Sequence, residues 1–293
     1  MRVFVTGASG GIGSAVVPEL ISAGHEVLGL VRSDASAKAV AAAGAVPLRG
    51  ELADPASLRA GAEQADGVIH LAFGNDFTDI QRCVDEETLA VETFAAALEG
   101  TGKSLVIASG TPAVPGRPST EEDAMPAVGP LAGRARNAQT VLGLAEKGVR
   151  SAAVRLPRSV HTGEGRYGFA SFLIEAAQRT GVSGYVGDGS QRWPAVHRLD
   201  AARLFRLVLE RADPGTVAHA VADEGDTMLS LAEAIGQRLG RPVEAVPAES
   251  FGFLGTVFAV DQPSSSAQTR ERFGWRPSHP SLLEDLATGR YPA

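Results

Sequence analysis

The sequence predicts an α/β chain in which a doubly wound parallel sheet is followed by a smaller C-terminal lobe. Three observations predict it. Short β-branched or apolar runs alternate with longer amphipathic stretches through the first half, the rhythm of parallel strands joined by crossover helices. A glycine turn, Gly7-Ala-Ser-Gly10-Gly-Ile-Gly13, follows the first apolar run and opens a helical one. After Pro157 the alternation breaks into turns, one helix and a glycine-rich stretch.

Taken in order, strands are expected at Val3–Thr6, Glu26–Val31, Val46–Arg49, Gly67–His70, Ser104–Ala108 and Ser151–Arg155. Helices are expected between them at Ile12–Ala23, Ala35–Ala43, Pro55–Ala62, Thr78–Glu99 and Gly133–Lys147. Gly24, Gly44, Gly100 and Gly148 each follow a helical run, where a left-handed residue closes the last turn. Pro18 lies inside the first helix, where it removes one backbone donor and predicts a kink or a carbonyl left to water. Beyond Pro157 the pattern predicts a helix at Gly168–Arg179, a helix Asp200–Arg211 capped by Asp200, and a strand Val217–Ala222. A helix Ser230–Leu239 and a strand Arg241–Val246 follow, and no repeat or long linker interrupts them. The division this gives is a nucleotide-binding Rossmann domain over residues 1–156 and a substrate lobe over 157–293, with about 196–222 returning to the first sheet.

Composition narrows the function. The chain has 293 residues, 44% apolar and 21% charged, and a net charge of -7 that opposes binding to nucleic acid phosphates. Its one cysteine, Cys83, excludes an internal disulfide and a cysteine-based zinc site, so no metal is expected. No apolar run approaches the ~20 residues needed to cross a bilayer, and no signal-like segment precedes the first strand. A cytoplasmic protein acting on a small molecule, free of nucleic acid and membrane and possible as a homodimer, is the expectation.

The glycine turn carries the clearest chemistry. Gly7 permits a tight turn, Gly10 lets the backbone approach a pyrophosphate, and Gly13 allows close packing of helix on strand. With Ser9, Gly11 and Ile12 they form a cradle whose amides, at a helix N-terminus, favour negative charge. A glycine turn that binds nothing is the bland alternative. The second strand ends in Arg32-Ser33-Asp34. An acidic residue there bonds the ribose of NAD, whereas an arginine accommodates a 2′-phosphate. Arg32 and Ser33 therefore favour NADP(H) over NAD(H), against the pull of Asp34.

Thr6-Gly7-x-x-Gly10-x-x-Gly13, Val68-Ile-His-Leu-Ala72, Ile107-Ala-Ser109 and Arg155-Leu-Pro157 occur in this order at successive strand ends. Together with Gly187-Asp-Gly189-x-x-Arg192 and Val196-His197-x-x-Asp200, they resemble the short-chain dehydrogenase/reductase superfamily in its extended, epimerase-like branch. The resemblance implies that Glu51 and Leu52 lie beside the adenine and that Leu71, Ala72 and Phe73 line the adenine-ribose side. It implies that Arg155, Pro157 and the backbone near Val160 neighbour the nicotinamide, and that Ser109 is the serine of the active site. His70 should alternate away from the cofactor and pack.

One departure is decisive. The superfamily carries Tyr-x-x-x-Lys on the helix after that serine, the tyrosine moving a proton and the lysine holding the ribose. Here Arg134 falls on the lysine and Pro130 on the tyrosine, and no tyrosine occurs before Tyr167. The chain thus resembles atypical members that keep fold and cofactor but lose the dyad. Ser109 and Thr111 can donate hydrogen bonds, Arg134 can hold the ribose, and His161 or Tyr167 can supply a proton. His197 is read as structural. Phe73, Thr111, Phe169 and Trp193 are candidates to face a substrate, against the plainer reading of each aromatic as core. Three functions follow: an NADPH-dependent reductase of a carbonyl or imine on a partly apolar molecule, a nucleotide-sugar epimerase or dehydratase, or a non-catalytic sensor of NADP(H).

Overall fold

In a computed structural model, described here for residues 1–74, 79–129, 132–164 and 168–288, the chain forms an α/β fold with two compact units. The first comprises Met1–Ser109, Ala124–Arg155 and Ala202–Ala218, and the second Gly110–Asp123, Leu156–Ala201 and His219–Ala293.

The elements of the first half are β1 (Arg2–Thr6), α1 (Gly13–Ser22), β2 (Glu26–Val31), α2 (Asp34–Ala42), β3 (Val46–Arg49) and α3 (Pro55–Glu63). They continue with β4 (Gly67–His70), α4 (Ile80–Leu98), β5 (Ser104–Gly110), α5 (Ala132–Gly143) and β6 (Arg150–Leu156). Local chemistry sets their limits. Asp54 accepts the amides of Ala56 and Ser57 with Pro55 in the first turn of α3, and Asp79 accepts the amide of Arg82 at the start of α4. The helix α1 runs through Pro18.

The second half contains β7 (Ser159–His161), α6 (Gly168–Thr180), β8 (Ser183–Tyr185), β9 (Arg192–His197), α7 (Arg198–Arg211), β10 (Thr216–His219) and β11 (Asp223–Thr227). After these come α8 (Met228–Leu239), β12 (Val243–Ala245), α9 (Gly255–Phe258), α10 (Ala267–Phe273) and α11 (Leu282–Thr288).

The large sheet has the order β10-β6-β5-β4-β1-β2-β3, with parallel pairing from β3 to β5. From β3 to β6 this is the doubly wound order, in which the strand sequence reverses beside β1 and ligands bind at the carboxyl ends of the strands. Its core includes Phe4, Leu58, Val68, Phe94, Leu105, Ile107 and Val141. The second unit holds a three-stranded sheet β11-β9-β7 and a pair β12-β8, packed around Trp193, Phe258, Ile174, Leu231 and Leu282.

Two expectations change. The helix α7 begins at Arg198, so Asp200 lies in its first turn and does not cap it. The Asp200 carboxylate instead accepts the amides of Ser278 and His279, at 3.0 Å each. The strand β9 had no place in the sequence reading because Pro194 breaks its pattern. Asp223 pairs with Ala195 and Asp226 with Trp193, so β11 spends one extra residue opposite Pro194. A bulge there spares the sheet the missing donor.

Candidate functional site

The glycine turn at the end of β1 is built by steric necessity. Gly7 has φ +70°, and a Cβ there would lie 2.9 Å from the Ala72 amide nitrogen. A Cβ on Gly13 would lie only 2.0 Å from the Gly7 carbonyl oxygen, so α1 can start this close to β1 only without a side chain. The Gly10 amide donates to the Gly7 carbonyl at 2.9 Å, and Ser9 and Gly10 are exposed. Gly11 and Ile12 carry the turn into α1, where the amides of Ser14, Ala15 and Val16 already donate to the Gly10 and Ile12 carbonyls at 2.8–2.9 Å, so a phosphate would be met by the turn that precedes the helix. The cradle fits a pyrophosphate.

Thr6 ties this turn to the neighbouring strand end. Its Oγ1 accepts the amides of Leu71 and Ala72, at 3.2 Å each, and bonds His70 Nδ1 at 2.7 Å. His70 is buried against the Phe94 ring, and burial, with Arg134 adding to it, pulls its pKa down to about 3. It is a neutral packing group. At the end of β2, Arg32 is exposed, while Ser33 caps α2 by accepting the Ser36 amide. Asp34 pairs with Arg49 at 3.0 Å, a residue the sequence reading passed over. Glu51 is exposed and Leu52 half-buried in the turn after β3.

The centre of the first unit is Arg134 on α5. Its Nε and Nη2 meet the Glu87 carboxylate at 3.1 Å, and Nη2 also donates to the Ala108 carbonyl at 3.3 Å, beside Ser109. The guanidinium carbon lies 4.0 Å from the centre of the Phe73 ring. Asn137 donates to the second Glu87 oxygen at 3.0 Å and accepts from Thr88. Glu87, on α4, has a side chain only 2% exposed, and burial holds its pKa up although Arg134 and Asn137 pull it down. Arg134 is thus a fixed cation whose Nη1 has no protein partner among the described residues. Phe73 serves as its platform, a nearer role than that of a substrate wall.

The second unit holds the other predicted residues. Pro157 and Val160 are buried, and the Thr111 hydroxyl and carbonyl are met by the Gln262 amide. Two expectations are corrected here. Trp193 is fully buried between Phe169 and Phe258, a core residue rather than a face for substrate, and Phe169 packs half-buried against it. His161 is equally buried, its Nδ1 2.7 Å from Asp285, and burial pulls its pKa down to about 4 against Asp223 and Asp200. A neutral imidazole that donates its proton to Asp285 has none to give a substrate. Tyr167 lies outside the described residues.

His197 stands edge-on to His161 and stacks on His279, and burial likewise pulls it down to about 4. Both histidines take up protons on unfolding at pH values between about 4 and the ordinary 6.5. Their contribution to stability is therefore full above pH 6.5 and lost as the pH falls towards 4. The urea midpoint is expected to drop over this window, and His161→Gln to flatten the drop. An unchanged slope in that variant would assign the acid sensitivity elsewhere.

The geometry has counterparts among known proteins. The model of the NAD dependent epimerase/dehydratase family matches residues 3–222. An uncharacterised protein of Schizosaccharomyces pombe is 44% identical over 99% of this chain and 100% of its own length. A 4-hydroxy-2-methyl-3-oxo-4-farnesyl-3,4-dihydroquinoline-1-oxide ketoreductase of Stigmatella aurantiaca is 31% identical over 74% of this chain and 67% of its own. The structure of a double mutant of dTDP-glucose 4,6-dehydratase from Streptomyces venezuelae, with NAD bound, superposes with a TM-score of 0.81 at 19% identity, covering 99% of this chain and 95% of that one.

Proposed function

Because the chain belongs to the NAD dependent epimerase/dehydratase family, we propose that it is an NADPH-dependent oxidoreductase reducing a carbonyl or imine on a small, partly apolar molecule. The observation that carries this reading is Arg134, fixed by Glu87 at the end of β5 where the superfamily's dyad is expected. An arginine does not act as a base at neutral pH. Oxidation or epimerisation of an alcohol begins by removing its hydroxyl proton, for which neither Arg134 nor Ser109 is a base. Reduction ends with negative charge on oxygen, which a fixed guanidinium and a serine hydroxyl stabilise.

Bound NADPH supplies the hydride. Ser109 orients the substrate oxygen, and the free Nη1 of Arg134 donates to the ribose and to the developing oxyanion. The proton then comes from solvent or from Tyr167, and Tyr167→Phe separates the two: turnover reduced 10²–10⁴-fold assigns it to the tyrosine. The relatedness to a ketoreductase supports the direction. A nucleotide-sugar substrate is disfavoured by Arg192, whose guanidinium is already held by Asp261 at 2.8 and 3.1 Å. Substrate-dependent NADPH consumption across a carbonyl and imine panel tests the reading, and a protein that binds NADPH but consumes none would be a sensor.

The choice of NADPH rests on Arg32, exposed at the end of β2, and on Asp34 being engaged by Arg49. Arg32→Ala should remove a charge-assisted contact worth roughly 1.5–3 kcal/mol and narrow the preference for NADPH. Titration with both cofactors decides it; equal or stronger NADH binding by the unaltered protein would sink the assignment.

A further inference from the structure

A cation drawn partly out of water without a counter-charge is costly, so a protein that keeps one has a use for it. Arg158, half-buried between β6 and β7, is such a cation. Its Nη2 donates to Gln262 Oε1, and its guanidinium carbon lies 5.6 Å from the centre of the Trp193 ring. It has no carboxylate partner among the described residues, unlike Arg117, held by Asp123, and Arg192, held by Asp261. Burial alone pulls its pKa down, to about 10, with no acidic side chain acting against that. The guanidinium therefore stays charged at neutral pH.

Gln262 is placed to aim this charge without neutralising it. Its Nε2 donates to the Thr111 carbonyl and hydroxyl oxygens, which fixes the amide and turns Oε1 towards Arg158. Gln262 is itself buried, 8% exposed, and its amide nitrogen donates to the Arg192 carbonyl at 3.0 Å. The buried Trp193 ring lies against the guanidinium. All four residues lie in the second unit, so the arrangement stands without reference to the cofactor site.

We infer that Arg158, oriented by Gln262 and backed by Trp193, anchors a carboxylate of the protein's ligand, which makes oxo acids the substrate class. The carbonyl half of this statement rests on the function proposed above; the carboxylate half does not. A planar guanidinium matches a carboxylate with two parallel hydrogen bonds, and one cation suits a monoanion.

The test is calorimetric titration of the full chain with 4-oxo-4-phenylbutanoate and its methyl ester, with and without NADP⁺. The acid is expected to bind at least ~10-fold tighter than the ester. Arg158→Gln should erase that difference and Arg158→Lys keep part of it, with NADPH affinity unchanged in both. Equal binding of acid and ester by the unaltered protein, or binding of neither at millimolar concentration, overturns the anchor. So does an acid preference that survives in Arg158→Gln, or a loss of NADPH affinity there, which would assign Arg158 to the cofactor. Acid binding without reduction of any oxo acid keeps the anchor and removes the reductase reading. Equal kcat/KM for acid and ester does the reverse.

Discussion

Gly13→Ala is expected to abolish NADPH binding and to destabilise the first unit, whereas Gly10→Val is expected to abolish binding in a protein that still folds. The two glycines are three residues apart but are constrained by different neighbours. A Cβ on Gly13 would lie 2.0 Å from the Gly7 oxygen and 2.8 Å from its carbonyl carbon. Backbone on both sides cannot move aside without opening the junction of β1 and α1, a cost of roughly 1–3 kcal/mol or more. A Cβ on Gly10 meets only the Gly7 oxygen, at 3.1 Å, so a shift of a few tenths of an ångström accommodates it, far less than Gly13 would need. Its branched side chain would instead occupy the path of the pyrophosphate. Circular dichroism and urea denaturation report the fold, and fluorescence titration reports NADPH. A folded Gly10→Val protein with unaltered affinity would mean that the phosphates bind elsewhere.

That the turn could be read from the sequence reflects how local its causes are. Gly7, Gly10 and Gly13 act on one another within a few residues, and the strands β2, β3 and β4 begin and end where their apolar runs do. The function of a charged residue is less local. Arg134 was legible as the residue in the lysine's place, but its partner Glu87 lies 47 residues earlier on another helix. The signal for Glu87 was available, since it falls on a face of α4 that also buries Cys83, Val84, Ala90, Val91 and Phe94. A carboxylate on a buried helix face calls for a cation. No such signal marks Asp285, 124 residues from His161, or Gln262, 104 residues from Arg158. His161 looked like an acid because its intrinsic pKa suits one, and burial beside Asp285 removes that property. The strand β11, Asp-Glu-Gly-Asp-Thr, reads as a turn because its pairing with β9, not its composition, makes it a strand.

Arg134→Met is expected to destabilise the protein by about 3 kcal/mol and to weaken NADPH binding, while Glu87→Gln should cost less stability. The asymmetry follows from burial. Breaking a buried pair by removing one partner costs roughly 3–5 kcal/mol because the other charge is left without compensation. The Glu87 side chain is 2% exposed and that of Arg134 is 28% exposed, so the orphaned carboxylate suffers more than the orphaned guanidinium, and the low end of the range applies. The double variant Glu87→Gln/Arg134→Met should therefore be more stable than Arg134→Met alone, the signature of a lost counter-charge rather than lost packing. The dependence on pH has a definite sign. Burial holds the Glu87 pKa above its ordinary 4.5 even beside Arg134, so above pH 4.5 the folded protein binds a proton that the unfolded chain releases. Stability falls as the pH rises through that window. Removing Arg134 takes away the main opposing charge and extends the window upward, so Arg134→Met should lose most at pH ~8 and least near pH ~5. Urea denaturation of the three variants at both pH values measures this. A double variant no more stable than Arg134→Met, with losses equal at the two pH values, would show that Arg134 matters only as packing against Phe73, and its place as the charged centre of the site would have to be given up.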